Sequence, residues 1–124
     1  MKYSISVKDF FDARHFVIMP DGVAEEPHFH TWTVMVTVSC KKLDNFGFVM
    51  DFHELQRIVK NASCPLANCS VINNLSPFKE NPPTTERMAE YFVNQILSLL
   101  PEHVKLESVS IEEAKNCKAI ITMS

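Results

Sequence analysis

Histidine is the residue type whose spacing in this sequence first points to chemistry. Three of the five histidines, His15, His28 and His30, fall within sixteen residues. His28 and His30 are two apart in a segment that alternates polar and apolar residues, so on a strand both imidazoles project from one face, about 6 to 7 Å apart. His15 ends the preceding predicted strand, and antiparallel pairing would bring it beside them.

Three neutral imidazoles with an open fourth position are typical of a catalytic zinc site. They suit zinc better than calcium or magnesium, which prefer oxygen ligands. Alternatively, histidines in strands pack or hydrogen-bond without any metal, and the H-x-H pair alone does not favour a metal. The clustering of His15 with that pair does favour one, whereas His53 and His103 lie apart, on a helix flank and in a loop.

The strands that must position these histidines follow from alternating apolar residues. The first runs from residue 3 to His15, and the second from His28 to Cys40, with valines on one side and threonines on the other. Two short strands rich in valine and isoleucine close the chain, at Val104 to Glu112 and Lys118 to Thr122.

Two amphipathic helices lie between the strand pairs. Asp51 is a good N-cap for the first, and Thr84 or Thr85 caps the second, which ends before Pro101. The intervening stretch, Cys64 to Pro83, holds four prolines and several Asn and Ser residues, so we expect a surface loop.

The element order ββααββ predicts an α+β fold, with two helices on one face of a four-stranded antiparallel sheet. At 124 residues the chain is one domain's worth of sequence, so we expect a single domain over residues 1–124. Four strands cannot close a barrel alone, and the open sheet leaves edges to cover. We therefore expect a homo-oligomer.

Composition excludes several classes of function. A net charge of −3 and a pI near 5.9 argue against a nucleic-acid surface, which needs concentrated Lys and Arg. No apolar stretch is long enough to span a membrane, and the first residues contain no hydrophobic signal core. The four cysteines are scattered, so we expect reduced thiols and a cytoplasmic protein.

Five motifs in order give the sequence a specific resemblance over nearly the whole chain. They are Phe11-Asp12-Ala13-Arg14-His15, His28-Phe29-His30, residues 47–55 (GFVMDFHEL), Pro83-Thr84-Thr85-Glu86 and Ile111-Glu112. Together they resemble the family of the 6-pyruvoyltetrahydropterin and 6-carboxytetrahydropterin synthases. The resemblance implies the tunnelling fold, in which three subunits form a barrel and two such rings usually make a homohexamer.

By that resemblance, His15, His28 and His30 look like the zinc triad. Glu112 looks like the carboxylate that anchors a pterin through paired N–H donors, although the neighbouring Glu113 is an alternative. The residues aligned with the rest of the substrate pocket are Thr84, Thr85 and Glu86.

The sequence departs from the family pattern at the proton-transfer residues. The loop from Phe16 to Pro27 lacks the family's catalytic cysteine, and the usual aspartate and histidine are replaced in the stretch from Leu66 to Asn73. Glu25 lies three residues before His28, where a subgroup of the family carries a glutamate, so we expect Glu25 to be the general base. The alternatives are that Glu25 is simply solvated, or that Cys69 enters the pocket from the long loop.

These features imply a zinc-dependent lyase acting on 7,8-dihydroneopterin triphosphate or a related pterin, in tetrahydropterin, folate or queuosine biosynthesis. The alternative is a zinc-containing pterin- or purine-binding homologue without synthase turnover. A triphosphate should need several cationic side chains, and Arg14 and Lys115 are the only candidates.

Overall fold

The computed structural model describes residues 1–124 and confirms the predicted order of elements. The strands are β1 (Tyr3–His15), β2 (His28–Cys40), β3 (Lys105–Ala114) and β4 (Cys117–Thr122), and the helices are α1 (Phe52–Ala67) and α2 (Thr85–Ile96). Short 3-10 turns follow at Ile72–Asn74 and Leu97–Leu99.

The strands form one antiparallel sheet in the order β1-β2-β3-β4. β1 and β2 pair without interruption along their whole length, so His15 lies opposite His28 and Ala13 lies opposite His30. The long hairpin therefore places all three histidines at one end of the sheet.

One face of the sheet carries the hydrophobic core and both helices. Trp32 and the valines at 34, 36 and 38 alternate onto this face and are fully buried. The ring of Phe11 in β1 contacts Phe92 of α2, with 5.9 Å between centroids. The other face, here called the helix-free face, bears the exposed side chains of Phe10, Phe29 and Ile120.

The first helix begins where the sequence predicted but ends later. The Asp51 carboxylate accepts a hydrogen bond from the His53 N–H, as expected of an N-cap. The predicted loop start at Cys64 was wrong, because α1 continues through Pro65 to Ala67. The fully buried side chain of Leu66 favours this extra turn, although proline cannot donate a helical hydrogen bond.

The start of α2 and the end of β3 determine where several side chains of the site lie. Thr84 is the N-cap of α2 and accepts a hydrogen bond of 3.1 Å from the Arg87 N–H. β3 runs two residues beyond its predicted end at Glu112, and the β3–β4 register shifts between Glu112 and Ala114. Glu113 is the extra residue there, as in a β-bulge, which commonly re-aims a side chain.

No helix combines the length and the apolar character that crossing a membrane requires.

Candidate metal centre

The three histidines predicted from the sequence meet at the open end of the β1–β2 hairpin. The ring centroids of His15 and His28 are 4.6 Å apart, and those of His28 and His30 are also 4.6 Å apart. The His15 side chain is only 1% exposed, whereas that of His30 is 22% exposed. The cluster is therefore sealed on the core side and approachable from the other.

Backbone carbonyls fix the orientation of two of the imidazoles. His15 Nδ1 donates to the carbonyl oxygen of Pro83 at 2.8 Å, and His28 Nδ1 donates to that of Glu26 at 3.2 Å. Because a carbonyl oxygen only accepts, each Nδ1 must carry a proton. In the neutral rings, both Nε2 atoms then present lone pairs to the centre of the cluster, which is the usual arrangement of metal-binding histidines.

In the neutral rings of His15 and His28, the inward-facing nitrogens carry no proton. The Nε2 atoms of His15 and His28 are 3.0 Å apart, and the same atom of His15 is 2.8 Å from Glu113 Oε1. His30 Nε2 is buried without a hydrogen-bond partner. Lone pairs at these distances repel each other unless a cation lies between them, so the donor set fits a metal ion.

The four atoms could hold one ion, because one ligand atom from each of His15, His28, His30 and Glu113 lies within 4.8 Å of all the others. Burial lowers the pKa of His15, as do His28 and His30, while the Pro83 carbonyl and Glu113 oppose the shift. A lowered pKa favours the neutral imidazole, which is the form that binds metals.

The side chain of Trp32 packs against two of these imidazole rings. Its ring meets those of His15 and His30 edge to face, with centroids 4.7 and 5.4 Å apart. Its indole N–H donates to the Ala13 carbonyl oxygen at 3.2 Å. A rigid, fully buried side chain therefore restricts how far the histidines can turn.

Glu25 faces the same cavity as His15 and His28 because its loop folds back on itself. Gly22 takes a positive φ of 86° at the tip, and Ile18 bridges to Ala24. The Glu25 N–H then donates to the Val17 carbonyl oxygen at 3.0 Å, while the Val17 N–H donates to Glu25 Oε1 at 3.1 Å. One carboxylate oxygen is thus held by the backbone, and the other is free of protein partners.

A cavity of about 220 Å³ joins the predicted pocket residues to the cluster. Its lining consists of His15, Val17, Glu25, His28, Thr84, Thr85, Glu86 and Glu113. The predicted residues Thr84, Thr85 and Glu86 reach it from the first turn of α2. The lining contains no Lys or Arg, so its charged groups other than histidine are all carboxylates.

The structure does not bring Glu112 to this cavity. Side chains alternate along β3, so Glu112 lies on the helix-free face, opposite Thr33 of β2 and Lys118 of β4. Glu113 lies at the histidines instead, which corrects the preference for Glu112 over its neighbour. Alternation from the buried Ile111 was the signal in the sequence that could have identified Glu113.

Cys69 does not enter the cavity either. Its thiol donates to the Leu66 carbonyl oxygen at 3.1 Å, and burial raises the pKa of the thiol. A raised pKa leaves less of the reactive thiolate. The cavity lining therefore contains Glu25 but not Cys69.

Known proteins resemble this chain in sequence and in fold. A family model described as 6-pyruvoyl tetrahydropterin synthase matches residues 4–124. The chain is 36% identical over 115 residues to a dihydroneopterin monophosphate aldolase of Pyrococcus furiosus, with 91% of each chain covered.

Solved structures share the fold at lower identity. A Caenorhabditis elegans 6-pyruvoyl tetrahydropterin synthase has a TM-score of 0.82 at 18% identity, covering 100% of this chain and 97% of the other. The Plasmodium falciparum synthase has a TM-score of 0.73 at 22% identity, covering 97% and 96%. A Plasmodium vivax synthase, solved as a glutamate-to-alanine variant of a catalytic residue, has a TM-score of 0.75 at 17% identity, covering 98% and 97%.

Proposed function

This chain belongs to the 6-pyruvoyl tetrahydropterin synthase family, and on that premise we propose that it is a zinc-dependent lyase that cleaves the side chain of a phosphorylated 7,8-dihydroneopterin. The observation that carries the proposal is the cavity lined by Glu25 together with His15 and His28. Such a cavity would bring a general base and a metal site to one substrate.

His15, His28 and His30 are the residues that would hold the zinc ion. A bound zinc ion supplies Lewis-acid polarisation of the hydroxyl groups on a substrate side chain. The carbonyl oxygens of Pro83 and Glu26 keep two of the imidazoles in the tautomer that binds a metal.

Glu25 would act as the general base. Its free carboxylate oxygen takes the proton of a side-chain hydroxyl, and the carbon–carbon bond next to that hydroxyl breaks. The hydroxyl becomes the carbonyl of the leaving fragment. The electron pair of the broken bond is delocalised into the pterin ring and is then used to bind a proton at the side-chain carbon that stays attached to the ring. This aldolase chemistry needs no cysteine, which agrees with the loop from Phe16 to Pro27. It is also the activity named for the Pyrococcus furiosus relative.

The charge of the cavity favours a substrate with few phosphates. Arg14 lies over the ring of Phe29 on the other side of the sheet, with 5.9 Å from its guanidinium carbon to the ring centroid, and Lys115 is in the β3–β4 turn. Neither lines the cavity, where Glu25, Glu86 and Glu113 would repel a triphosphate. We therefore prefer a monophosphate, with Thr84, Thr85 and Glu86 as its pterin-binding residues. Glu112 could act only on a ligand that reaches the helix-free face.

We also propose that the working form is a homo-oligomer, a trimeric ring or a hexamer of two rings. The open sheet with exposed apolar residues on its helix-free face supports this assembly.

Turnover tests the proposal directly. Zinc-loaded protein is incubated with 7,8-dihydroneopterin monophosphate and, separately, triphosphate, and the pterin products are separated by chromatography. Glu25→Gln should lower kcat by about 10² or more, the usual contribution of a general base. The matched control is Glu26→Gln, because the Glu26 side chain is exposed and only its backbone carbonyl touches His28.

Each alternative outcome has a clear meaning. Turnover that survives Glu25→Gln would remove Glu25 from the mechanism. Tight pterin binding without any product from the wild type would instead identify a binding protein, the alternative that the missing cysteine favours.

A further inference from the structure

We infer that the chain has a second small-molecule site, for an organic phosphate, at the end of the sheet opposite the histidines. A cavity of about 420 Å³ lies there, and small-molecule sites usually occupy roughly 300–1,000 Å³. We call it the far-end cavity, and its lining includes Lys2, Lys41, Lys105, Leu106, Glu107 and Met123. The inference does not depend on the proposed function.

The far-end cavity is separate from the cavity that contains Glu25. The register of β1 and β2 places Tyr3 opposite Cys40 at one end of the hairpin and His15 opposite His28 at the other. A strand of 13 residues spans roughly 40 Å. In a ring of sheets the strand ends lie at the rim, so association through the sheet edges would leave the far-end cavity open.

Positive charge dominates the far-end cavity, because its lining has three lysines and only one side-chain carboxylate. That carboxylate, Glu107, accepts from the Ser39 hydroxyl at 2.6 Å and from Lys2 Nζ at 2.9 Å. These two donors lower the pKa of Glu107, and the charge of Lys105 adds to the shift. Lys41 and Lys105 take part in none of the ion pairs of the chain, which leaves two ammonium groups for a ligand.

An irregularity in β3 holds Glu107 at this position. Leu106 and Ser108 both pair with β2, whereas Glu107 between them is an extra residue, as in a β-bulge. The Glu107 carbonyl oxygen accepts from the Met123 N–H at 2.8 Å, which holds the chain after β4 beside the lysines. Leu106 and Met123 pack against the core and give the lining an apolar part.

These groups suit a phosphate ester better than other anions. A phosphate group carries about two negative charges and has three acceptor oxygens, and a lysine ammonium binds phosphate as a point charge with three donors. A carboxylate would neutralise only one of the two free lysines. The apolar part of the lining would receive the organic portion of the ligand, which inorganic phosphate lacks. Nucleic acid would need a larger basic field than a chain of net charge −3 offers here.

Calorimetric titration of the protein with phenyl phosphate tests the site. Inorganic phosphate, which lacks the ring, and benzoate, which lacks the second charge, are titrated for comparison. Lys41→Gln and Lys105→Gln should each weaken the binding of phenyl phosphate by about tenfold, the usual loss for one hydrogen bond to a charged group. Lys79→Gln is the matched control and should bind as the wild type does, because Lys79 is exposed and lies outside the cavity.

Glu107→Gln gives a readout of opposite sign. The amide keeps the shape of the side chain and removes the only side-chain carboxylate of the far-end cavity. Phenyl phosphate should therefore bind about two- to fivefold more tightly. Circular dichroism checks that each variant is folded.

Three results would overturn the inference. Equal affinity of the wild type and the Lys41→Gln/Lys105→Gln double variant, or no binding of phenyl phosphate by the wild type, would remove the site. Inorganic phosphate that binds as tightly as phenyl phosphate would exclude an organic ligand. Benzoate that binds more tightly than phenyl phosphate would exclude a phosphate.

Discussion

At the scale of single residues, Trp32 supports the histidine cluster by packing against it. It is the only tryptophan, it is fully buried, and its N–H satisfies the Ala13 carbonyl oxygen. Trp32→Phe would leave that carbonyl oxygen without its donor and open a gap beneath His15. We expect it to lower the free energy of unfolding by about 1–3 kcal/mol.

Urea denaturation followed by circular dichroism tests this expectation. Phe46→Leu is the control, because Phe46 is 83% exposed and its replacement should change the unfolding free energy by less than about 0.5 kcal/mol. Equal denaturation midpoints for Trp32→Phe and the control would mean that the tryptophan does not support the cluster.

The sequence was sufficient to predict which histidines meet, but not which carboxylate joins them. His28 and His30 share a strand face by simple alternation, and His15 follows from the hairpin register. Choosing between Glu112 and Glu113 required knowing that Ile111 faces the core, because alternation along β3 then turns Glu113 and not Glu112 to the face of the histidines. The fold of the loop that carries Glu25 was equally unpredictable, since it depends on contacts with Val17.

At the scale of elements, a side chain joins the loop after β1 to the 3-10 turn after α1. Asn73 Oδ1 accepts from the Phe16 N–H at 3.0 Å, and Asn73 Nδ2 donates to the Phe16 carbonyl oxygen at 2.9 Å. The amide thus pairs with the backbone as a neighbouring strand would. It anchors the start of the segment that carries Glu25.

Asn73→Ala removes both hydrogen bonds and leaves two part-buried backbone groups unpaired. We expect a loss of about 1–3 kcal/mol of stability and faster amide hydrogen exchange at Phe16 and Val17. The control is Asn74→Ala, because the Asn74 side chain makes only an exposed contact of 3.4 Å with Ser70. Unchanged exchange at Phe16 in Asn73→Ala would show that other contacts hold the loop.

Element types were predictable, while their ends depended on tertiary packing. Alternation predicted all four strands, and caps at Asp51 and at Thr84 or Thr85 predicted both helix starts. The end of α1 was predicted too early because Cys64 and Pro65 suggest a loop, whereas the burial of Leu66 draws another turn onto the core. Capping residues in the local sequence therefore predict where a helix starts, whereas packing against the core determines where it ends.

At the scale of the whole molecule, the sheet is covered on one face only. Both of its edges, β1 and β4, lack a further strand within the chain, and each edge offers unpaired backbone groups to another copy. Ile120 of β4 is 58% exposed and Phe10 of β1 is 60% exposed on the helix-free face. Association of copies would remove these apolar side chains from water, which favours assembly.

Ile120→Lys therefore tests the assembly. Light scattering coupled to size exclusion should give the wild type a multiple of the 14.2 kDa chain mass, three- or sixfold for the proposed ring or double ring. A lysine at position 120 places a charge where association would bury it, so the mass should fall toward that of one chain. Phe46→Lys, at an exposed site outside the sheet, should keep the wild-type mass. A wild type that elutes with the mass of one chain would contradict the assembly, and the cavity around Glu25 would then have to be complete within a single copy.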